Sequence, residues 1–578
     1  LACNTIGQYN VALGFNALKA NTTASYNVGV GYQALEDNTT GQYNVAIGYG
    51  SLRENTVGKE NTALGYYALR KTTTGVQNVA IGKQALVNNL TGKQNIAIGK
   101  DSMVGNVSGN QNVAVGTSTL FNNTVGHNNV AIGTGAMTYN TTGVKNVGVG
   151  VNALFRNTIG QRNISVGEQA LYTNTTGSYN IAMGMNSLYK NTTGQYNVAI
   201  GYEALSCNTV GIYNVGLGFM SLYKNTTGTN NISLGACSLT CNTTGVNNVA
   251  IGKNALNFNV SGVDNVAIGT QAMLYNTEGD CNVGVGKRAL NCNTGGDLNT
   301  AIGTEAMYKN STGSKNTALG YNTLRCNTEG YYNVAVGICA LQCNTTGNNN
   351  TVVGAQAMLK NTTGVKNVAV GVNSLICNTT GVNNIALGYQ AGNNITSGDG
   401  NVVIGTGDVA SATGDKQLKI SDGVDGSVAW ITGDSSGNLV TTGDLTLAND
   451  KKVIFGDAGE HIAGDGTSLV ITASNQLHLM PAGRLGIGTT SPAKQVQIAA
   501  TASNQPFLRI ETTDGGNKRL DLSVQGGHGV IEARQSAQNL ILDATSDIIF
   551  KNNGTETARM RSAGLAIGGT GDANTLDD

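Results

Sequence analysis

The chain contains few side chains that could carry out catalysis or hold a metal ion, and their spacing suits neither task. Four histidines are present, His127, His461, His478 and His528, and none stands at a metal-ligand spacing from a cysteine or an acidic motif. No nucleophile elbow, phosphate-binding loop or strand-coupled dinucleotide motif occurs. The sequence therefore predicts no enzyme: we expect no catalytic residues, no cofactor and no metal site.

Ten cysteines are the other reactive side chains. Seven occupy one position of the repeat described below: Cys3, Cys207, Cys241, Cys292, Cys326, Cys343 and Cys377. Only Cys326 and Cys343 do so in consecutive repeats, where stacking would bring their Cα atoms to about 5 Å, within disulfide reach. We expect mostly free thiols, with Cys326–Cys343 as the one candidate bridge.

A seventeen-residue repeat organises residues 1–405. Its consensus is N-V-A-I-G-x-x-A-L-x-x-N-T-T-G-x-x, and its first Asn recurs without insertion or deletion from Asn10 to Asn401, a span of 23 periods and hence 24 copies. We call each copy a coil and count positions one to seventeen from that Asn. One coil cannot bury a core alone, but stacked coils cover one another. The sequence predicts an all-β parallel β-solenoid (a β-roll), about 115 Å long at roughly 4.8 Å per coil.

Each position of the coil has a predicted role. Alternating Val and Ile at positions two and four predict a short strand over positions one to five, with those side chains facing the core. Leu at position nine is expected to anchor a second strand. Glycines at position five, such as Gly14, Gly48, Gly201 and Gly405, and at position fifteen predict turns, both with positive φ.

Asparagine at position one predicts a hydrogen-bonded ladder along the stack, because stacked amides can pair from coil to coil. The ladder would include Asn10, Asn27, Asn44, Asn197, Asn384 and Asn401. Asparagine at position twelve has two interpretations, a second ladder or tolerance of a turn. Tyr stripes at position seventeen would stack, either sealing a chain interface or offering a sugar-binding surface.

Positions three and eight hold only small residues and are expected to face outward. A face exposed to solvent would be expected to contain charged residues. Small residues at these positions therefore suggest that another copy of the chain packs closely against them. The alternative is that small residues serve tight turns only.

Past Gly405 the seventeen-residue phase is lost, which predicts a boundary near residue 406 and a second, β-rich region over 406–578. Short β-like runs, "QLKI", "LVIT", "QLHLM", "QVQIA" and "LILDA", alternate there with turn dipeptides at Gly433-Asp434, Gly443-Asp444, Asp465-Gly466 and Asp514-Gly515. Leu1 fits position nine of an incomplete coil, so we expect the chain to be truncated at both ends.

The "NVAIG" strand resembles the repeat of YadA-like trimeric adhesin heads, which implies three β-rolls side by side. Three later segments resemble bacteriophage tail fibres: Lys451–Ile471, "RLGIGTTSP" (Arg484–Pro492) and "TARMRSAGLAIGGTGDANTLDD" (Thr557–Asp578). That resemblance implies interwoven trimeric β-structure, other virion tail proteins as partners, and a host receptor bound through a missing tip.

The composition disfavours nucleic-acid binding and membrane insertion as functions. Lys plus Arg equals Asp plus Glu at 34 each, so no basic excess favours nucleic acid. No run of eighteen apolar residues predicts a membrane helix. We expect the structural shaft of a trimeric phage tail fibre, extracellular on the virion tail. A trimeric bacterial cell-surface adhesin is the alternative. Ice binding by Thr ladders and a glycan-degrading tailspike fit less well, since the sequence lacks T-x-T strands and groove-forming insertions.

Overall fold

The computed structural model describes residues 2–443 throughout and, beyond them, only separate strands. The repeat forms the predicted parallel β-solenoid, with one three-residue strand per coil at positions two to four, inside the predicted positions one to five. The strands are β1 Val11–Leu13, β2 Val28–Val30, β3 Val45–Ile47, β4 Thr62–Leu64, β5 Val79–Ile81, β6 Ile96–Ile98, β7 Val113–Val115, β8 Val130–Ile132, β9 Val147–Val149, β10 Ile164–Val166, β11 Ile181–Met183, β12 Val198–Ile200, β13 Val215–Leu217, β14 Ile232–Leu234, β15 Val249–Ile251, β16 Val266–Ile268, β17 Val283–Val285, β18 Thr300–Ile302, β19 Thr317–Leu319, β20 Val334–Val336, β21 Thr351–Val353, β22 Val368–Val370, β23 Ile385–Leu387 and β24 Val402–Ile404.

Each strand pairs in parallel with the strand of the next coil, and every residue lies opposite the residue seventeen positions later. The register begins with Val11 opposite Val28 and runs unchanged to Ile385 opposite Val402. Because each coil hydrogen-bonds to both neighbours, an inserted residue would shift its whole coil out of register. This constraint explains why the repeat has no insertions or deletions.

The rest of each coil consists of turns, so the predicted second strand at position nine is wrong. In the second coil, the Ala34 N–H donates to the Gly31 carbonyl and the Asn38 N–H to the Leu35 carbonyl. Leu35 lies in the left-handed region with φ of +53°. Ala34 and Leu35 are both fully buried. In an extended strand, two consecutive side chains point to opposite faces. Here the left-handed backbone at Leu35 changes that direction, so the side chains of Ala34 and Leu35 both point into the core.

The core consists of positions three, eight and nine, so the predicted inward facing of positions two and four is also wrong. Ala46 at position three is fully buried, whereas Ile47 at position four is 39% exposed. The interior is too narrow for larger strand side chains opposite the Leu of position nine. Even at Gly29, an added Cβ would lie 3.3 Å from Leu18 Cγ. Small residues at positions three and eight therefore fill the interior instead of contacting another chain.

The last regular coil keeps this core by exchanging two residues. Gly392 replaces Leu at position nine, and Ile395 replaces Asn at position twelve, where it is fully buried. A Cβ on Gly392 would meet Ile395 Cδ1 at 3.0 Å and Val403 Cγ2 at 3.3 Å. Ile395 thus supplies the apolar volume that the missing leucine would have filled.

One more parallel strand joins the sheet after a connection one residue shorter than in the repeat, and the strands that follow are antiparallel. Strand β25 (Leu418–Ser421) pairs in parallel with β24, but Val402 lies opposite Leu418, an offset of sixteen residues. Strands β26 (Ala429–Gly433) and β27 (Leu439–Thr441) then pair antiparallel as a hairpin. The predicted turn at Gly433-Asp434 lies between them.

Beyond residue 443 only strands are described: β28 Leu485–Ile487, β29 Val496–Ile498, β30 Pro506–Glu511, β31 Arg519–Gln525, β32 His528–Arg534, β33 Ile548–Asn552, β34 Thr555–Arg561, β35 Gly564–Ile567 and β36 Thr575–Leu576. The first two pair in parallel, and the others form antiparallel sheets of three and four strands.

The chain divides into two compact units, Leu1–Leu447 and Ala448–Asp578. The run "QLKI" forms most of β25 and "QVQIA" contains β29. The runs "LVIT", "QLHLM" and "LILDA", the segment Lys451–Ile471 and the three later turn dipeptides lie wholly or partly outside the described residues. No helix in the described parts is long and apolar enough to cross a membrane.

The core assignment predicts unequal losses of stability for two neighbouring substitutions in β12. Ala199→Leu at position three should overpack the interior and lower the free energy of unfolding by about 1–3 kcal/mol. Ile200→Leu at position four, which is 40% exposed, should leave it nearly unchanged. Guanidinium unfolding followed by circular dichroism measures both. A larger loss from Ile200→Leu would contradict the assignment.

The turn before the hairpin predicts a local acid transition. The Asp422 carboxylate accepts backbone N–H groups from Val424, Gly426 and Val428, which holds its pKa well below the usual range. A depressed folded pKa stabilises the turn above the unfolded pKa of about 4 and loses that contribution as pH falls. Fluorescence of Trp430, the chain's one tryptophan, should change below about pH 4. Asp422→Ala should show the acid-form signal already at neutral pH.

Candidate interaction surface

A buried asparagine ladder runs along the stack at position one. The Asn27 Oδ1 accepts the Asn44 backbone N–H at 2.9 Å and the Asn44 Nδ2 at 3.2 Å. The Asn44 Nδ2 also donates to the Gly58 carbonyl at 2.9 Å. The structure places all six asparagines named from the sequence on this ladder: Asn10, Asn27, Asn44, Asn197, Asn384 and Asn401.

A second ladder runs at position twelve. The Asn55 Nδ2 donates to the Asn38 Oδ1 at 2.7 Å and to the Gly58 carbonyl at 3.1 Å. These asparagines are fully buried. Of the two interpretations of position twelve, the structure shows the ladder. The N-T-T turns therefore hold their asparagine amides inside the coil.

Glycine at position fifteen joins the two ladders. The Gly58 carbonyl accepts from Asn44 and from Asn55, which open and close the same coil around it at positions one and twelve. A Cβ on Gly58 would lie 2.3 Å from the Asn55 Oδ1 and 2.4 Å from the Gly75 carbonyl oxygen. Lack of space, not backbone conformation, thus requires glycine here, and the predicted positive φ at position fifteen is wrong.

Glycine at position five has the conformational role that the sequence predicted. Its φ is +130° at Gly14, +133° at Gly48, +134° at Gly201 and +98° at Gly405. Residues with a Cβ avoid this region. These glycines begin the turn that follows each strand.

The ladder at position twelve is interrupted twice. Thr72 replaces asparagine in the fourth coil, and both the Asn55 Oδ1 and the Thr72 Oγ1 are buried without a hydrogen-bond partner. Ile395 replaces asparagine in the last regular coil, and the Asn378 Oδ1 is likewise buried without a hydrogen-bond partner. Both gaps leave a buried acceptor unpaired, which is costly.

The outer surface of the sheet is apolar along its whole length. We call the side chains at positions two and four of β1–β24 the strand face. Position four is Val, Ile, Leu or Met in every coil, and position two is Val, Ile or Thr. Leu64 is 44% exposed, Ile200 40% and Ile404 39%. This apolar face continues over 24 strands, whereas a monomer's largest apolar patch is typically a few hundred Å².

Stacked aromatic rings occur at positions six and seventeen. At position seventeen the ring centroids of Tyr9, Tyr26 and Tyr43 are spaced 5.0 Å apart. Tyr179, Tyr196 and Tyr213 repeat this at 4.9 Å. Position six adds a stripe that the sequence analysis missed: Phe15, Tyr32, Tyr49 and Tyr66. Stacking covers the ring faces and leaves mainly ring edges at the surface.

The clearest ion pairs lie away from the strand face. Glu305 at position seven accepts from Arg325 at 2.9 Å and lies 3.4 Å from Arg288. The hydrogen bond from Arg325 lowers the pKa of Glu305. Glu36 pairs with Arg53 in the same way at 2.9 Å. No charged side chain occurs at positions two or four of any coil.

The structure pairs none of the ten cysteines in a disulfide. Cys326 and Cys343 lie half-buried at position eleven of consecutive coils. Burial, followed by the nearby thiols of Cys326 and Cys339, raises the pKa of Cys343. A raised pKa leaves less thiolate for exchange at neutral pH. The Cys326–Cys343 bridge stays a prediction.

The described side chains form no metal-binding group of His, Cys, Asp and Glu. His127 is exposed, with its Nδ1 3.1 Å from the Asn128 Nδ2. The side chains of His461, His478 and His528 lie outside the described residues. Comparison of the chain with models of protein families, curated proteins and solved structures finds no match.

Repairing the first gap in the ladder should stabilise the solenoid. Thr72→Asn would give the Asn55 Oδ1 its missing donor and should raise the free energy of unfolding by about 1 kcal/mol. Thr74→Asn, at the exposed position fourteen two residues later, serves as the matched control and should have little effect. Equal effects from the two substitutions in denaturant unfolding would contradict the ladder energetics.

Proposed function

We propose that this chain is the structural shaft of a phage tail fibre, a rigid spacer that presents a host-binding tip. The observation that carries the proposal is the unbroken stacking of 24 coils in one register. Backbone bonds and two asparagine ladders join successive coils, so bending would strain several buried hydrogen bonds at once. The fully packed interior leaves surface contacts and mechanical extension as its means of action.

We infer that three copies assemble through their strand faces. The small residues at positions three and eight do not support this assembly, because they lie inside the coil. Support comes instead from two outward columns without a charged residue, an arrangement that water disfavours along a soluble rod. Packing several strand faces together would remove this apolar area from water. The aromatic stripes beside the strand face would add ring edges to the interface.

The fibre is preferred over the adhesin because of the C-terminal segments that resemble tail fibres, including Arg484–Pro492 and Thr557–Asp578. On this proposal the protein is extracellular on the virion tail. It would contact other tail proteins at one end and a host receptor through a tip at the other. A bacterial surface adhesin would use the same shaft mechanics, and the "NVAIG" resemblance keeps it as the alternative.

The mass of the native particle tests the assembly. Sedimentation equilibrium should give three times the chain mass of 59.3 kDa. Replacing Ile200 and Ile268 of the strand face with Glu should dissociate the particle, since each introduces a charge at the interface. Glu at Thr193 and Thr227, exposed at position fourteen, should leave it intact. A stable wild-type monomer would contradict the trimer and weaken the fibre assignment.

The genomic neighbourhood separates fibre from adhesin. Structural virion genes beside this reading frame are the expected result. A membrane-anchoring barrel encoded in the same frame would instead identify an adhesin.

A further inference from the structure

A groove of about 410 Å³ interrupts the regular surface at the eighth to tenth coils. Tyr139, Phe155, Arg156, Thr158 and Thr175 line it. These residues occupy positions ten, eleven and thirteen, whereas the strand face uses positions two and four. The groove therefore belongs to a different side of the coil and would remain open if strand faces packed together.

A change of residue between coils creates the groove. Phe155 stacks on Tyr172 of the next coil at 5.1 Å with nearly parallel rings. The preceding coil has Thr138 at the same position, so no ring stacks on the other face of Phe155. Tyr139 instead meets it edge-on, at 5.1 Å and 78°. Two rings thus stand at nearly right angles, and Tyr139 is 47% exposed.

Arg156 supplies an uncompensated charge at the edge of the groove. Among the described residues, no carboxylate lies within salt-bridge distance of its guanidinium, which lies 6.0 Å from the centre of the Tyr172 ring. Residues 102–202 hold one acidic side chain, Glu168, and four basic ones: Lys145, Arg156, Arg162 and Lys190. The surface here is therefore positive although the whole chain is neutral.

We propose that this groove binds a carboxylated pyranose, the acidic sugar unit of a surface polysaccharide. The Tyr139 ring is 47% exposed and has no ring stacked parallel on it, so its open face can pack against the apolar face of a sugar ring. The Arg156 guanidinium can bind the carboxylate through paired hydrogen bonds. The Thr158 and Thr175 hydroxyls already donate to carbonyls of the next coil, which leaves their oxygens free to accept from sugar hydroxyls. The groove volume lies within the range of small-ligand sites.

The central rings of the tyrosine stripes at position seventeen do not offer this combination. In the stacks at Tyr26 and Tyr196, neighbouring rings cover both faces of the central ring. The open ring face with an unpaired cation distinguishes the groove from them. Binding does not depend on trimer formation, although three grooves at one height would raise avidity for a polymer.

Binding of the full chain to an oligosaccharide panel tests the proposal. The panel pairs uronate- and sialate-bearing oligosaccharides with their neutral counterparts. We expect binding to at least one carboxylated member, weakened at least tenfold by Phe155→Ala and by Tyr139→Ala. Arg156→Gln should remove the preference for the carboxylated member over its neutral counterpart. Circular dichroism and unfolding of each variant would verify that the solenoid is intact.

Matched controls come from the same column in other coils. Tyr275→Ala and Lys224→Gln, both at position eleven, should leave binding unchanged. Failure of every carboxylated member to bind would overturn the proposal, as would equal losses from the control variants. Equal competition by a poly-glutamate peptide would also overturn it, because the site would then recognise charge without a sugar ring.

Discussion

One carbonyl oxygen per coil joins the two buried asparagine ladders. At Gly58 it accepts from Asn44 and from Asn55, and the same arrangement recurs along the stack. Buried amides are costly unless paired, so these bonds make the Asn-rich interior tolerable. Ala24 is the one departure from glycine at this position within the array. Beside it the Asn38–Asn21 bond is 3.1 Å, compared with 2.7 Å for Asn55–Asn38.

The narrow interior also determines what the outside presents. Because ladders and glycine carbonyls occupy much of each coil, the sheet directs small side chains inward, with Val352 and Val403 the largest, and Leu or Met at position nine fills the remainder. The β-branched residues that favour strand conformation then point outward. An apolar exterior is thus the counterpart of a polar, hydrogen-bonded interior, and it is the surface through which we propose that copies assemble.

The sequence period alone predicted the solenoid, the first strand of each coil and the ladder at position one, since these follow from the seventeen-residue spacing. The second strand predicted at position nine does not form, because Leu there lies in a turn with positive φ. It could not predict which face was internal, because period-two alternation is the same for either facing. Small residues at Ala46 and Ala34 fit a close contact with another chain as well as a tight interior. The groove was missed because it depends on Tyr139 meeting Phe155 edge-on, a geometry that no single repeat contains.

The buried ladder at position twelve has a consequence for where the chain can be made. Many of its asparagines belong to N-T-T sequences, which are acceptor sites for N-linked glycans in a secretory lumen. In the folded coil, the amide nitrogen of Asn38 is fully enclosed and bonded to Asn21 and Gly41. A glycan added during translocation would occupy that enclosed space and prevent its coil from stacking. The repeat is therefore suited to synthesis in a compartment without oligosaccharide transfer, and recombinant production should avoid eukaryotic secretion.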